Sequence, residues 1–495
     1  MGLYFQLRAG GFAMNERRIV IIGAGITGLS AAFFLKKSLA DSVKILLLES
    51  SDRIGGVIGS IQKDDALMEI GPEAFLSIKP QVMELAKELG IIDRLKRTNP
   101  ESRGSLIVHS RKMFEIPEGF VLFAPTQIGP CLRTNLFSFF GKLRMGFDLI
   151  IPRRKKMHDE SVADFVRRRL GKEALDRLAQ PLITAIYGGD IERLSSASVV
   201  PQMVQLEQLH RSIILGLLGT REQRGIKTVA DKDRSLFMSF DKGMSVLIEA
   251  LSKHLPDDCL YLNKSISSVV PKGKRQWLVQ CSNGESILAD AVIICTPGPV
   301  ASKILAVADS KIAEELDSIK APLAMTVNLL YHKSSIKDEL DAFGFIVPEQ
   351  DKSAIRACTF SSTKFAGRAS NNTKLLRVFL SEECRTALWD KPDYEIAKFV
   401  TSSLRRYIQI TGLPIDFHVA RHLNGIPEYN VGHKDRVEQI FLQLNSLPGL
   451  YLAGNSYSGI GISECIASAR EAVRKVNEYL SDDTCLKRLS QPAEA

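Results

Sequence analysis

No apolar run in the sequence approaches the roughly 20 residues that cross a bilayer, so no spanning helix is expected. There is no Cys-x-x-Cys pair. The eight cysteines are scattered, as in an intracellular protein whose thiols stay reduced and mostly buried. The eight histidines are equally dispersed; His418 and His422 stand four apart but lack further ligands nearby, so no metal site is expected. Nothing near the start has the apolar core of a secretory signal. Leu3-Tyr4-Phe5-Gln6 resembles a protease-site remnant, so residues 1–13 read as a tag and Met14 as the native start. The net charge of +9 is not gathered in one basic tail, which gives no reason to expect a nucleic-acid partner. Its short clusters, Arg153-Arg154-Lys155-Lys156 and Arg167-Arg168-Arg169, read as solvated faces.

What is present is ordinary globular material. Hydrophobic residues make up 45% and charged residues 24%, which argues against long disorder. A chain of 495 residues exceeds one compact core, so two or three domains are expected.

The first informative motif begins with the β-branched run Arg18–Ile22. Gly23-Ala24-Gly25-Ile26-Thr27-Gly28 follows, then a helix over Leu29–Leu35, then a strand over Val43–Leu48 ending at Glu49. Gly23 permits a tight turn, Gly25 lets the backbone approach a pyrophosphate, and Gly28 lets helix and strand pack closely. The helix N-terminus offers free N–H groups to the phosphates, and Glu49 can accept from an adenosine ribose. Ser50 follows Glu49, and Arg53, Gly55, Gly56 and Val57 come next. An Arg and a Gly-Gly pair directly after the ribose-binding acid resemble the second FAD motif of the amine-oxidase superfamily, which NAD enzymes usually lack, so this resemblance separates FAD from NAD better than the first motif does. Gly71 and Pro72 then make a rigid turn.

Further along, Leu136–Leu218 is helix-rich. Ile287–Thr296 reads as one strand, and Leu323–Tyr331, Ala342–Val347, Ile355–Phe360 and Leu375–Leu380 as a second, sheet-rich domain. Near the end, the strand Leu450–Gly454 runs into Asn455, a loop over Ser456–Gly461, and a helix from near Ser463. That helix end is a second place where backbone N–H groups can face a cofactor.

Several segments together resemble the protoporphyrinogen oxidase family of the FAD/amine-oxidase superfamily. They are Glu160–Gly171, Pro181–Asp190 with Leu194-Ser195, Glu207–Leu218, Ile426-Pro427-Glu428-Tyr429 with Gly432-His433, and Ala453–Gly461. The resemblance covers roughly Arg18 to Val476. It implies an α/β fold of p-hydroxybenzoate-hydroxylase/amine-oxidase-like architecture: a discontinuous Rossmann-like FAD-binding domain, a mixed-sheet substrate domain and a helical membrane-associated domain. The boundaries expected are 14–97, 232–300 and 440–480 for the FAD domain, 98–218 for the helical domain, 301–435 for the substrate domain and 481–495 for a flexible tail.

The resemblance also implies the site. Besides the motif residues above, Glu73, Ala74, Ile266, Gly454, Asn455, Ile460, Gly461 and Ile462 are expected to touch FAD. Ile346 and Leu380 are expected to sandwich a pyrrole ring, with Thr359 beside them. Ala185 stands where the family has a glycine by the flavin. The family's propionate-holding Arg aligns with Ser105, and Arg103, two residues away, is the candidate replacement. No catalytic side chain is expected, because flavin N5 carries the chemistry. The implied reaction is the six-electron oxidation of protoporphyrinogen IX in haem biosynthesis, with oxygen as acceptor and hydrogen peroxide as by-product. Coproporphyrinogen III oxidation is the alternative within the enzymes, and a non-catalytic FAD electron carrier the alternative outside them. Expected partners are the porphyrinogen, oxygen and peripheral membrane lipid, with hand-over to ferrochelatase and a homodimer both compatible. The expected location is intracellular, cytoplasmic or peripheral to a membrane. Ile213–Leu218, flanked by Arg211, is the expected lipid-docking stretch.

Overall fold

The computed structural model describes residues 17–39, 42–110, 112–154, 158–224, 235–273 and 275–489. The expected tag, Lys155, Lys156 and the last six residues of the expected tail lie outside the described residues.

Strand β1 (Arg17–Ile22), helix α1 (Ile26–Leu39) and strand β2 (Val43–Leu48) follow one another as a βαβ unit. β1 sits at the centre of a parallel five-stranded sheet. On one side lie β2 and Leu260–Tyr261, on the other Ala291–Ile294 and Leu450–Leu452. The central strands are almost wholly apolar and buried because elements cover both faces. The long helix Ile462–Leu489 packs against α1. One sheet therefore draws its strands from both ends and the middle of the chain.

The single strand expected over 287–296 is two. Ser286–Ala289 belongs to an antiparallel three-stranded sheet, and Ala291–Ile294 to the parallel one. Asp290 makes the break: its N–H donates to Arg18 O (2.8 Å) and its carboxylate accepts from Arg18 N (2.8 Å). Those bonds peel the chain from one sheet and seat it against β1.

The second large layer is a seven-stranded mixed sheet. Its order is Asp416–His422, Ala324–His332, Thr373–Leu380, Ile355–Thr359, Ala342–Ile346, Arg103–His109, Lys112–Glu115. The last two strands come from the stretch expected to open the helical domain. Arg103–His109 runs parallel to Ala342–Ile346 and completes this sheet, so the helical layer begins only near residue 128. One sheet face packs on the helix Asp393–Leu404 through Leu106, Phe345, Ile355, Cys358, Val378 and Leu380.

The helical layer corrects two surface expectations. Of Arg167, Arg168 and Arg169, only Arg167 has the expected solvated side chain, paired with Asp164 and Glu192. Arg169 is fully buried: its Nε donates to Asp148 Oδ1 (2.6 Å) and its Nη2 to the carbonyls of Asp148 and Arg211 (2.8 Å each). A buried charge this well paired ties the helix Val162–Arg169 to the turn at Asp148. The same carboxylate accepts from Ile214 N (3.0 Å) and so caps the helix Ile213–Arg224.

The first residues of that helix are core, although Leu215 is 42% exposed. Ile213 is fully buried, Ile214 is 8% exposed, and both belong to the helical core with Phe165 and Leu178. A larger apolar surface lies elsewhere. Phe139 and Phe140 are 75% and 77% exposed, and Ile128, Leu132, Leu143, Phe147 and Ile150 are exposed with them. Among the described residues, no helix is long and apolar enough to cross a membrane.

Candidate active site

The turn after β1 has the geometry its glycines demand. Gly23 is left-handed (φ +99°) and its N–H donates to Leu48 O (2.7 Å). A Cβ on Gly28 would overlap Gly23 O, so only glycine lets α1 sit this close to β1. A Cβ on Gly25 would meet nothing within 4 Å. The space over Gly25 is thus open in a turn that is otherwise tightly packed. Gly454 (φ +129°) adjoins the same turn, since the nearest atom to a Cβ there is Thr27 Oγ1 at 3.7 Å. Open backbone at Gly25, at the N-terminus of α1, suits a phosphate group.

The second motif reaches the same opening. Gly25 and Gly55 form a parallel bridge, and Gly55 N donates to Ala24 O (2.8 Å). Glu49 is buried; its carboxylate accepts from Ala24 N (2.7 Å) and from Ser51 N and Oγ (2.9 Å each). Arg53 braces the loop by donating to the carbonyls of Ile54, Gly56 and Ile58. Asn263 and Lys264 donate to the carbonyls of Ser51 and Glu49, which brings Ile266 alongside. Ser50 and Val57 are exposed beside this cluster. Gly71 packs on Val57 O so tightly that a Cβ there would overlap it. Ile462 opens the last helix, and Ile460, just before it, packs against the helical core.

Glu73 is placed differently from a cofactor ligand. Its carboxylate is taken up by Ser361 Oγ and Lys364 Nζ (3.2 Å). Burial pushes this carboxyl up, yet Lys364, Arg377 and Ser361 outweigh that and hold it below the usual range. The Glu73 carbonyl in turn accepts from Ser239 Oγ (2.8 Å). Nearby, Glu69 pairs with Arg368 (2.8 Å) where both are buried, and burial raises the Glu69 carboxyl in spite of that partner.

The near face of the mixed sheet supplies a wall. Cross-strand register lines up Asn328, Arg377, Thr359, Gly344 and Ser105 in one row. Thr326, Phe379, Ala357, Ile346 and Ile107 form the next. Asn328 donates to Glu69 O (3.1 Å), Thr326 to Ile70 O (3.3 Å) and Arg377 to Gly71 O, so this face looks onto the Gly71–Pro72 turn. Ile107 and Ile346 pack toward the helical layer. The helix Gln180–Tyr187 touches the strands Ala342–Ile346 and Ile355–Thr359, with Ala185 exposed near its end.

Two expected substrate contacts fall away. Leu380 pairs with Ile355 and lies in the core on the far face, because side chains alternate along a strand. Its neighbour Phe379 faces the wall, with the Arg377 guanidinium 4.7 Å from its ring centre. Arg103 is half exposed and held by two carboxylates, Glu115 (3.2 Å) and Asp341. A third carboxylate would meet a cation already outnumbered. Arg377 itself was missed from the sequence. It is buried, and burial lowers its guanidinium while Glu73 and Glu69 oppose the shift. A lone charge inside the apolar run Leu375–Leu380 was the signal available for it. Among the described residues no three His, Cys, Asp or Glu side chains gather as a metal site. His422 Nε2 is instead 2.8 Å from Ile70 O.

A parallel sheet split between the chain's ends, an open glycine-lined cradle and a separate apolar wall define an FAD-dependent oxidoreductase. The chain belongs to the flavin-containing amine oxidoreductase family, whose sequence profile matches residues 26–477, and FAD is its cofactor. It is 33% identical over 470 residues to coproporphyrinogen III oxidase of Bacillus subtilis (strain 168), covering 94% of this chain and 99% of that protein. It is 28% identical to chloroplastic protoporphyrinogen oxidase of Nicotiana tabacum, covering 94% and 86%. A solved Exiguobacterium sp. 255-15 structure, provisionally named a protoporphyrinogen oxidase, superposes with a TM-score of 0.81 at 27% identity, covering 95% and 100%.

Proposed function

We propose that the chain oxidises a porphyrinogen with molecular oxygen in haem biosynthesis, with coproporphyrinogen III the preferred substrate over protoporphyrinogen IX. The near-full-length similarity to the Bacillus enzyme is the observation that carries this reading. It reverses the order of preference that the sequence motifs alone supported. The protoporphyrinogen reading keeps the tobacco and Exiguobacterium similarities in its favour.

In this reading Gly25, Gly28, Glu49, Gly56 and Gly454 hold FAD. Bound FAD supplies a two-electron acceptor that oxygen can reoxidise, and three such cycles remove the six electrons of the macrocycle. The chain's own residues orient and enclose the substrate. Phe379 and Ile346 lay an apolar surface beside the Gly71–Pro72 turn, and the helical layer keeps water from the reacting carbon. Arg377 places a buried positive charge behind that turn, where it favours negative charge on the cofactor side.

Steady-state turnover of both porphyrinogens by the purified protein tests the substrate. Porphyrin fluorescence should appear with both, and kcat/KM should be higher for coproporphyrinogen III. A higher value for protoporphyrinogen IX would reverse the assignment, and no turnover of either would remove it.

The wall has its own test. Phe379→Ala should raise KM about thirtyfold, the worth of about 2 kcal/mol of lost apolar contact, with normal FAD content. Leu380→Ala should leave KM near wild type and instead cost about 2–5 kcal/mol of stability in urea unfolding. The opposite pattern would put Leu380 back in the pocket.

The exposed stretch 128–150 is the proposed lipid-facing surface. Its acid Asp148 is buried against Arg169, so Arg133, Lys142 and the adjoining Arg153 frame the apolar side chains with positive charge. Such a rim favours anionic lipid.

A further inference from the structure

We propose that Tyr429 and His433 are positioning residues that clasp the loop Asn455–Gly459 over FAD and tie it to the helical layer. The proposal rests on the reading that Gly454, whose Cβ position lies 3.7 Å from Thr27 Oγ1 of the first glycine turn, borders FAD, and not on which porphyrinogen is oxidised.

The loop has reason to need a clasp. It joins the strand Leu450–Leu452 to the helix Ile462–Leu489, and it is bounded by two glycines in left-handed conformations, Gly454 (φ +129°) and Gly459 (φ +140°). Such a segment loses much conformational freedom on ordering. The Tyr429 hydroxyl spans it. That hydroxyl donates to Asn455 O and accepts from Gly459 N (2.9 Å), so one buried oxygen pins both ends.

His433 supports the tyrosine and holds the middle. Its ring stacks on Tyr429 with centroids 3.9 Å apart and planes 13° from parallel. His433 Nε2 lies 3.0 Å from Tyr457 O. A carbonyl only accepts, so Nε2 carries the proton, and Nδ1 is a buried nitrogen without a hydrogen-bond partner among the described residues. Burial pulls this imidazole down to about 4, with Arg436 adding to the shift, Asp159 opposing it and the bond to Tyr457 opposing it too. The ring therefore stays neutral and stacked across the working range. Three backbone atoms of a five-residue loop are fixed by two side chains.

The other edge of the same segment is sewn to the helical layer. Ser195 N donates to Tyr429 O (2.7 Å), Val431 N to Arg193 O (2.8 Å) and Gly432 N to Asp159 Oδ2 (2.9 Å). Residues 429–433 thus touch the layer that encloses the substrate on one side and the FAD loop on the other. The clasp pre-orders the N–H groups before the last helix, so FAD binds without bearing the full cost of ordering them.

The test uses Tyr429→Phe, which keeps the stacked ring and removes only the hydroxyl, and His433→Phe, which keeps the stack and removes the Nε2 donor. Both are compared with wild type by FAD dissociation constant, midpoint potential and visible spectrum of the bound FAD, none of which requires a porphyrinogen. Loss of two hydrogen bonds should weaken FAD at least tenfold in Tyr429→Phe, with a displaced midpoint potential and a shifted absorption band. His433→Phe should move the same readouts less. Should Tyr429→Phe fail to fold, His433→Phe decides alone. Wild-type FAD affinity, potential and spectrum in the folded variants, with only the melting temperature lowered, would make both residues ordinary packing and overturn the proposal.

Discussion

Gly25→Val should yield a folded, colourless protein. A Cβ at residue 25 meets no atom of the described residues within 4 Å, so the apo fold has no reason to fail at that carbon. The same side chain occupies the space that the FAD pyrophosphate needs against the α1 N-terminus, and FAD binding should fall below detection. Gly28→Val makes the contrast. There the added carbon overlaps Gly23 O, so that variant should lose the βαβ packing itself and become insoluble. Circular dichroism and flavin released by heat separate the two outcomes. A Gly25→Val protein with full FAD occupancy would move the cofactor away from this turn.

The second large effect is on membrane binding. Wild-type protein should sediment with anionic vesicles at low salt, and Phe139→Glu with Phe140→Glu should stay in the supernatant with its FAD band intact. Two exposed phenylalanines are worth about 3–6 kcal/mol when buried in lipid, so partitioning should drop at least about a hundredfold. Ile214→Glu should behave otherwise and unfold the helical layer, because Ile214 is core. Sedimentation of the double variant at wild-type level, or wild-type protein that never sediments, would refute this surface.

What the sequence disclosed, and what it hid, follows from the range of the forces involved. The Gly23–Gly28 turn was legible because its requirements are local: a tight turn, a close approach and a helix start within six residues. Residues 450–462 were legible for the same reason. Register was not. Leu380 and Phe379 are adjacent, both apolar and both plausible in a wall, and only pairing with Ile355 and Ala357 shows which one turns inward. Arg169 looked like its exposed neighbour Arg167 until Asp148, far off in sequence, came to meet it. Ile213–Leu218 looked like a docking face because hydropathy measures affinity for any apolar surroundings, protein or lipid alike. Phe139 and Phe140 lie in a less continuous apolar stretch, and only the fold leaves them uncovered. Arg103 failed for want of its two carboxylates, one of which, Asp341, comes from the neighbouring end of the sheet.

The most direct test of FAD-dependent porphyrinogen oxidation is a single anaerobic mixing experiment followed at the oxidised flavin band. Adding coproporphyrinogen III to the yellow protein should bleach that band in proportion to substrate, and admitting air should restore it as hydrogen peroxide and fluorescent porphyrin accumulate. A band that stays unchanged with both porphyrinogens, in protein whose FAD dithionite still reduces, would contradict the account.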